Sequence, residues 1–503
     1  MKIEHFLEKN EIREVTIFKQ LILNGGSLSY VEMLDYLKVA KASLDNDLDS
    51  ISSRIGFLSD QVNIKYDGQG ISLEMSNEYS LQQIYYLYLN QSVKVKLINF
   101  LFKYQEFSIM QLTEELAISD SSLFRKIKEL NNYLKEFGIK IRNGQLHGEE
   151  LQIRYFYFQF YNFIENKEDF VDLHLDNQIT QAVQAVENFL KVTIESENRQ
   201  RLAIWMIISK NRVNSREKKY QYVHKQMQPY LEDPLYQKIR SMVLRYFSRY
   251  SIEVDEEEAM LHFAFLLAFS ILTEHEFHEY TLMRDRRAPI ASLDTYIVET
   301  IIIHYKFRRL PYMLERDMFY HLSHIHTKLY FFKGDIEVYE YEEMLAKEKQ
   351  FTGRNLVSFA HTLLTTTTDK FMIIEEKEKE KEKEKEKEKE KENSLLKMEL
   401  LKYISLLAIV TFKMTTIVQI GIDLKMETIY TETLNQMLML NMRHINGIKV
   451  ETYQPDKEYD LILTNEQPSQ KVQYGDAKVY VLSEILSSFD LKNIQSIIQE
   501  LNS

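Results

Sequence analysis

The stretch FSIMQLTEELAISDSSLFRKIKELNNYLKEFGIKIR, from Phe107 to Arg142, constrains the fold of this chain more than any other feature. Its apolar residues repeat at three- and four-residue spacing on both sides of a short turn at 117–119, which is typical of two amphipathic helices. Ser119 or Asp120 can cap the second helix, because either side chain can accept a free backbone N–H of the first turn. The pattern predicts a helix-turn-helix. The residues of its second helix that are expected to face the core are Leu123, Ile127, Leu130 and Leu134.

The opposite face of this second helix carries small polar residues at its start and cations one turn later. Such a face suits a helix whose N-terminal end enters the major groove of DNA. We therefore expect a DNA interface here, the alternative being a helical subdomain whose cations only face solvent. The helix residues predicted to face solvent and contact DNA are Ser121, Ser122, Arg125, Lys126 and Lys128.

The flanking segments extend this unit to a winged helix-turn-helix. The pattern of Val93–Lys103 predicts a helix before the helix-turn-helix. Gly138–Arg142 and Leu146–Phe156 predict two strands joined at Asn143-Gly144, a strong hairpin signal. The wing residues predicted to reach the DNA backbone or the minor groove are Arg142 and His147.

A similar unit precedes it in the chain. Its predicted elements are helices at 14–23, 29–37 and 41–55 and strands at 62–66 and 70–75. The exposed positions of its third helix include Ser43, Asn46 and Arg54, of which Ser43 and Asn46 are predicted DNA contacts. Asp45 and Asp49 lie on the same helix, where carboxylates would repel phosphates. Packing or dimerisation is therefore the alternative role of this first unit.

Composition limits the class of protein. A chain of 503 residues that is 45% hydrophobic and 27% charged predicts several globular domains. No run of about 18 apolar residues occurs, so we expect no membrane span. The charged start, MKIEHFLEKNEIRE, predicts no secretion signal. The absence of cysteine excludes disulfides and thiolate chemistry. Together these features predict a cytoplasmic location.

The charge is unevenly distributed. The net charge of −12 argues against indiscriminate binding of nucleic acid. Residues 1–90 hold 8 Lys/Arg and 13 Asp/Glu, a net of −5, whereas residues 91–142 hold 9 and 6, a net of +3. The second unit is therefore locally basic, but only modestly. This predicts weak DNA binding by one subunit, strengthened by dimerisation.

The central part of the chain, from about 151 to 400, is rich in Leu, Ile, Tyr and Phe and poor in Pro and Gly, which predicts helices. Half-similar blocks at 201–213 with 256–269 and at 317–332 with 355–364 indicate a duplicated helical bundle. Residues 375–392 alternate Lys and Glu without an apolar face, which predicts an exposed helix or coil without a function of its own.

The last hundred residues change to a pattern of strands alternating with helices, which predicts a small parallel α/β domain. Its predicted elements are strands at 416–422, 448–453, 460–464 and 478–482 and helices at 427–442 and 491–501. The predicted fold class is therefore mainly α and multidomain. The predicted domains are two winged helix-turn-helix units at 1–80 and 85–165, two helical bundles at 170–282 and 288–412, and the α/β domain at 415–503.

This domain order, together with the 107–142 unit, resembles the Mga/AtxA family of virulence regulators of Gram-positive bacteria. The resemblance implies that the helical bundles are PTS regulation domains, whose histidines the sugar phosphotransferase system phosphorylates. It also implies that the last domain is EIIB-like and serves dimerisation. His321-Leu322 followed by Lys328-Leu329 is similar to the segment that holds the first histidine of such domains, whereas the matching residue of the first bundle is Trp205. The candidate phosphorylation sites are His262, His321, His324 and His361.

The sequence therefore predicts a DNA-binding transcriptional regulator, an activator of virulence or metabolic genes, with no enzymatic activity, cofactor or metal. Its expected partners are promoter DNA, a second copy through the C-terminal domain, and phosphocarrier proteins of the phosphotransferase system, and no membrane. One alternative is an interaction or scaffold protein with degenerate DNA-binding units. The other is an RNA-binding antiterminator, which would begin with a small β-rich RNA module in place of winged helices.

Overall fold

The computed structural model divides the chain into two compact units. The larger comprises Met1–Arg308 and Glu315–Ile404, and the smaller comprises Arg309–Leu314 and Ser405–Ser503. Within the described ranges, no helix combines the length and apolar composition that a membrane crossing needs. The residues that the structure describes are 1–56, 60–67, 69–215, 217–248, 256–338, 341, 344–345, 356–375, 393–414, 417–442, 447–466, 474–483 and 487–501.

The larger unit begins with a winged helix-turn-helix. Its elements are α1 (Lys9–Leu23), β1 (Ser27–Ser29), α2 (Tyr30–Leu37), α3 (Lys41–Ile55), β2 (Val62–Tyr66) and β3 (Gly70–Met75). The three helices bury Phe18, Met33 and Leu48 against one another. The strands pair antiparallel in the order β1-β3-β2. The predicted helices and hairpin are confirmed, although α1 begins at Lys9 rather than Glu14.

A second winged helix-turn-helix follows. Its elements are α4 (Leu81–Leu89), α5 (Val93–Tyr104), α6 (Ile109–Leu116), α7 (Asp120–Leu134), β4 (Lys140–Arg142) and β5 (Gln145–His147). The two strands pair antiparallel, with Ile141 opposite Leu146. Asn143 and Gly144, at φ 49° and 76°, form the tight turn between them. The predicted helices, the turn and a hairpin at this place are confirmed.

The second predicted strand of this wing is wrong over most of its length. Leu146–Phe156 was expected to be extended, but only Gln145–His147 pairs, and Glu150–Phe163 is a helix, α8. The segment Tyr155–Phe160 consists mainly of aromatic residues, which favour strands when they lie on a half-buried surface. Here the helix is enclosed on all sides, and burial of its whole circumference overrides the local preference.

Further helices surround α8 in the larger unit. The Trp205 ring stacks on that of Phe265, with ring centroids 4.3 Å apart, and Phe158 of α8 meets Phe265 edge to face. The helices predicted from the two half-similar blocks are confirmed, whereas the bounds of the four domains predicted between residues 1 and 412 stay predictions. Residues 376–392 of the Lys/Glu segment lie outside the described residues. The remaining helices of the chain before residue 415 are α9 (Lys167–His174), α10 (Asn177–Leu190), α11 (Ser196–Arg212), α12 (Gln221–Met227), α13 (Pro234–Ser248), α14 (Glu257–Ala268), α15 (Glu274–Met283), α16 (Pro289–His304), α17 (Tyr312–Phe331), α18 (Leu356–Glu375) and α19 (Ser394–Met414).

Charged groups are buried where α8 meets its neighbours. The Arg154 guanidinium donates to both oxygens of Glu258 at 2.6 Å and to Glu150 at 2.8 Å. Arg212 donates to the other oxygen of Glu150 at 2.7 Å. These four side chains are almost completely removed from solvent. They therefore fix α8, α11 and α14 relative to one another through ion pairs that water does not screen.

The smaller unit contains the predicted α/β domain. Its elements are β6 (Val418–Asp423), α20 (Thr428–Met442), β7 (Ile448–Thr452), β8 (Leu461–Thr464), β9 (Lys478–Val481) and α21 (Ser488–Leu501). All four strands are parallel, in the order β7-β6-β8-β9. The central strands β6 and β8 bury Ile420, Ile422 and Leu463, together with Ile494 of α21. The parallel sheet and its elements are confirmed to within a few residues at their ends.

Replacing Gly144 by alanine should destabilise the larger unit by about 2 kcal/mol or more. A left-handed backbone costs a residue with a β-carbon about 1 kcal/mol. In addition, the new Cβ would lie 2.1 Å from the backbone oxygen of Phe107. Gly56→Ala is the matched control, because Gly56 has right-handed helical angles and open space around it. Thermal denaturation followed by circular dichroism compares them, and equal melting temperatures for the two variants would contradict the expectation.

Candidate nucleic-acid interface

The turn before α7 sets the position of this helix. Ala117 adopts a left-handed conformation at φ 52°, and Lys38, at the same place in the first unit, does so at φ 53°. Ser119 caps α7 by accepting the backbone N–H of Ser122 at 3.3 Å. The turns therefore lead into α3 and α7 in the same way, and of the two residues predicted to cap α7, Ser119 and Asp120, it is Ser119 that does so.

The buried side of α7 corrects one prediction. Leu123, Leu130 and Leu134 face the core as expected. Lys126, however, is only 5% exposed, and its ammonium group pairs with Glu8 and lies 3.8 Å from Glu129. The prediction that Lys126 faces solvent is therefore wrong. The first winged unit approaches this side of α7 and supplies Glu8, which the sequence spacing of α7 alone could not reveal.

The exposed side of α7 is a narrow stripe. Ser121, Phe124, Arg125 and Lys128 are all exposed and follow the i, i+3, i+4, i+7 spacing of one helical face, whereas Ser122 is half-buried. Phe124, with 57% of its surface exposed, was missed by the sequence reasoning, although the same spacing could have identified it. We call these four residues the α7 stripe. It combines two cations, a small polar residue and an aromatic ring at the start of a helix.

The wing stands beside this helix. The side chain of Asn131 on α7 donates to the Ile141 carbonyl at 2.9 Å and accepts the Ile141 N–H at 2.6 Å. The wing is thereby tied to α7. Arg142 is exposed, as a DNA contact requires. His147 is half-buried, with Nε2 3.0 Å from the Arg142 carbonyl and Nδ1 3.9 Å from a Glu217 oxygen.

The corresponding helix of the first unit presents a more acidic face. Asn46 is exposed and Ser43 is half-buried, but Tyr30 donates a hydrogen bond to Asp45 beside them. Arg54 was predicted to be exposed, and this is wrong. Its guanidinium lies 4.4 Å from the centre of the Tyr88 ring and pairs with Glu11 and Glu14. This cation therefore serves the internal packing of the unit and does not offset the carboxylates of α3.

The four candidate histidines fall into two classes. His321 and His361 are exposed. His262 is buried and accepts the indole N–H of Trp205 on Nδ1 at 2.8 Å, and burial lowers its pKa to about 4. His324 is buried against the Tyr320 ring, and burial lowers its pKa to about 3. Both buried rings are therefore neutral at physiological pH, and neither is presented to a macromolecular phosphoryl donor.

A third buried histidine forms an internal chain of hydrogen bonds. His326 Nδ1 lies 2.6 Å from Asp294, and Nε2 lies 2.7 Å from the Tyr403 hydroxyl, which in turn is 2.8 Å from Thr367. Both ring nitrogens are thus engaged. His326 holds α16, α17, α18 and α19 together. In the part of the chain that the structure describes, no group of three or more His, Asp or Glu side chains is arranged to hold a metal ion.

The segment that follows the strand β6 carries no thiol. Asp423, the last residue of β6, has a carboxylate that lies 2.8 Å from the Lys425 ammonium and accepts the Tyr474 hydroxyl at 2.7 Å. The sequence contains no cysteine. The arrangement around Asp423 is a set of hydrogen bonds between side chains without a thiol nucleophile.

Comparison with known proteins identifies the second winged unit. The Mga helix-turn-helix domain matches residues 77–161, which include α4 to α7, the wing and most of α8. Capsule synthesis positive regulator AcpB of Bacillus anthracis is 25% identical over 158 residues, 31% of this chain and 32% of that protein. A trans-acting regulator of Streptococcus pneumoniae serotype 4 is 22% identical over 159 residues, 31% of each chain. The matches thus span about a third of the length of these relatives.

Proposed function

We propose that this chain, which belongs to the Mga/AtxA family of regulators through its helix-turn-helix domain, regulates transcription by placing α7 in the major groove of promoter DNA. The observation that carries this proposal is the α7 stripe. It is the face of a capped helix that remains exposed when the opposite face packs into the larger unit. Its composition matches the groups that read a major groove.

Each member of the stripe has a role that its chemistry suits. Arg125 can donate to a guanine edge or a phosphate, and Lys128 can pair with a phosphate one turn later. Phe124 can contact a thymine methyl group, and Ser121 is small enough to let the helix approach the bases. Arg142 on the wing adds a backbone contact. With so few cations, one subunit binds weakly, so two subunits on adjacent half-sites are needed for a stable complex.

Arg125→Ala should weaken binding to promoter DNA by about tenfold. It should also reduce the slope of log affinity against log salt concentration by about one, because one phosphate contact is lost. Lys126→Ala should leave that slope unchanged and lower the melting temperature instead, because Glu8 loses its buried partner. Arg199→Ala, which removes the same charge from α11, is the matched control. Gel shifts titrated with salt measure the three variants.

Equal binding by the Arg125 variant and the Arg199 control would contradict α7 as the reading helix. Loss of salt dependence in the Lys126 variant would contradict the assignment of that lysine to internal packing. Competition with RNA in the same assay separates this proposal from an RNA-binding antiterminator. A native protein that binds no duplex at low salt would favour the scaffold alternative.

The regulator is an activator whose state follows sugar supply through phosphorylation of histidine. Activation is proposed because the relative from Bacillus anthracis is named a positive regulator. Phosphorylation is proposed at His321 and His361, because their rings are exposed and can meet a phosphocarrier protein. A phosphoryl group adds between one and two negative charges, which is enough to change how a helical surface docks.

Incubation of the native chain with labelled phosphoenolpyruvate and the general proteins of the phosphotransferase system should transfer the labelled phosphoryl group to histidine. His321→Ala and His361→Ala should each remove part of this label, and the double variant should remove nearly all of it. His275→Ala, at another exposed histidine, is the matched control. Label that persists in the double variant but disappears in His262→Ala would contradict the choice of exposed sites.

Dimerisation is proposed to use α20 of the smaller unit. Tyr430, Met437 and Leu440 form an exposed apolar stripe along this helix, with 59%, 43% and 51% of their surfaces exposed. Apolar groups at this spacing on one face suit packing against a second copy of the same helix. A dimer of two such chains also supplies the two DNA-binding subunits that a stable complex needs.

The double variant Tyr430→Glu/Met437→Glu should shift the chain from a dimer to a monomer of 60.1 kDa, because charges would be buried without partners at the interface. Phe489→Glu, at an exposed apolar residue of α21, is the matched control. Light scattering after gel filtration gives the masses. A double variant that remains as dimeric as the control would contradict the use of α20.

A further inference from the structure

A cavity of about 250 Å³ lies in the larger unit among α10, α11, α13 and α14. Its walls are mainly aliphatic, and Ile179, Val186, Met206 and Val243 are among the side chains that form them. A cavity of about 150 Å³ is large enough for benzene, so this one has room for about ten non-hydrogen atoms. Lys210, which pairs with Asp176, contributes the only cation of the described lining.

Two buried polar side chains line this cavity, both more than nine-tenths buried. The first is Ser209, whose Oγ has no hydrogen-bond partner among the described residues. A buried hydroxyl without a partner costs free energy, and a native fold retains one mainly where water or a ligand completes it. Ser209 therefore indicates a polar contact that the protein itself does not supply.

The second polar side chain is His262. Trp205 Nε1 can only donate a hydrogen bond, so His262 Nδ1, at 2.8 Å, must be the unprotonated nitrogen. Burial lowers the pKa of His262 to about 4, which keeps the ring neutral and leaves its single proton on Nε2. His262 can thus offer a fixed N–H donor to a molecule in the cavity. Ser209 can donate from its hydroxyl.

We propose that this cavity is a binding site for a small, neutral and mainly aliphatic molecule that carries one hydrogen-bond acceptor, such as a ketone or an ester carbonyl. The aliphatic walls contact the aliphatic part of the molecule, and Ser209 and His262 donate hydrogen bonds to its carbonyl oxygen. A charged ligand is disfavoured because the aliphatic walls would not replace its hydration. This site uses none of the residues proposed to contact DNA, and it gives the larger unit a second binding site.

The test uses the full chain and 2-octanone as the probe, with octanoate as the charged analogue of the same length. Titration calorimetry should give saturable binding of 2-octanone and binding of octanoate at least about tenfold weaker. Trp205 is the only tryptophan of the chain. Its single indole N–H signal in NMR should shift with the same saturation, because its acceptor His262 also contacts the probe.

Ala185→Phe should close the cavity and abolish binding, whereas Gln184→Phe, which places the same ring on the neighbouring exposed position of α10, should not. Ser209→Ala should weaken binding of 2-octanone by about fivefold without closing the cavity. Circular dichroism checks that each variant is folded. If Ala185→Phe does not fold, Ser209→Ala still tests the proposal.

Three results would overturn the proposal. The first is an absence of saturable 2-octanone binding to the native chain, which would mean that water alone occupies the cavity. The second is equal binding by a folded Ala185→Phe variant and Gln184→Phe. The third is binding of 2-octanone that does not shift the Trp205 indole N–H signal and whose affinity is unchanged by Ser209→Ala. This result would locate the probe elsewhere.

Discussion

The buried ion pairs of Arg154 with Glu150 and Glu258 are the interaction on which the larger unit depends most. Burial alone would raise the pKa of Glu258, but the Arg154 guanidinium holds it below its ordinary value. Removing one partner from such a network costs about 3–5 kcal/mol, because the remaining charge is left without compensation. α8, which carries Arg154, directly follows the wing, so the same helix that completes the DNA-binding domain also anchors α11 and α14.

Cations near the DNA-binding units are divided between two tasks. Lys126 and Arg54 form internal ion pairs with glutamates. Arg125, Lys128 and Arg142 remain exposed. The net charge of +3 in residues 91–142 therefore overstates the charge that DNA can meet. A regulator with so small a basic surface gains specificity by requiring two correctly spaced subunits, and this is why dimerisation and DNA binding are linked in the proposed mechanism.

Histidines in the helical part illustrate how one residue type takes different roles in different surroundings. His326 is a structural residue with both ring nitrogens engaged, His262 is a neutral donor at the wall of a cavity, and His321 and His361 are exposed. Burial lowers the pKa of His262 and His324 because a charged ring would lose its hydration. The family resemblance treated His262, His321, His324 and His361 as one class of candidate site, but exposure separates them.

The sequence by itself determined the elements whose pattern is local: both helix-turn-helix units, the Asn143-Gly144 turn, a polar cap at the start of α7 and the parallel α/β domain. Periodicity and turn chemistry act over a few residues, so they can be recognised without knowing the neighbours. Only the tertiary structure decided that Glu150–Phe163 is a helix, that Lys126 is buried by Glu8, and that Ser209 and His262 share a cavity. Each of these depends on groups far apart in the chain, and burial and pairing between such groups leave no local pattern.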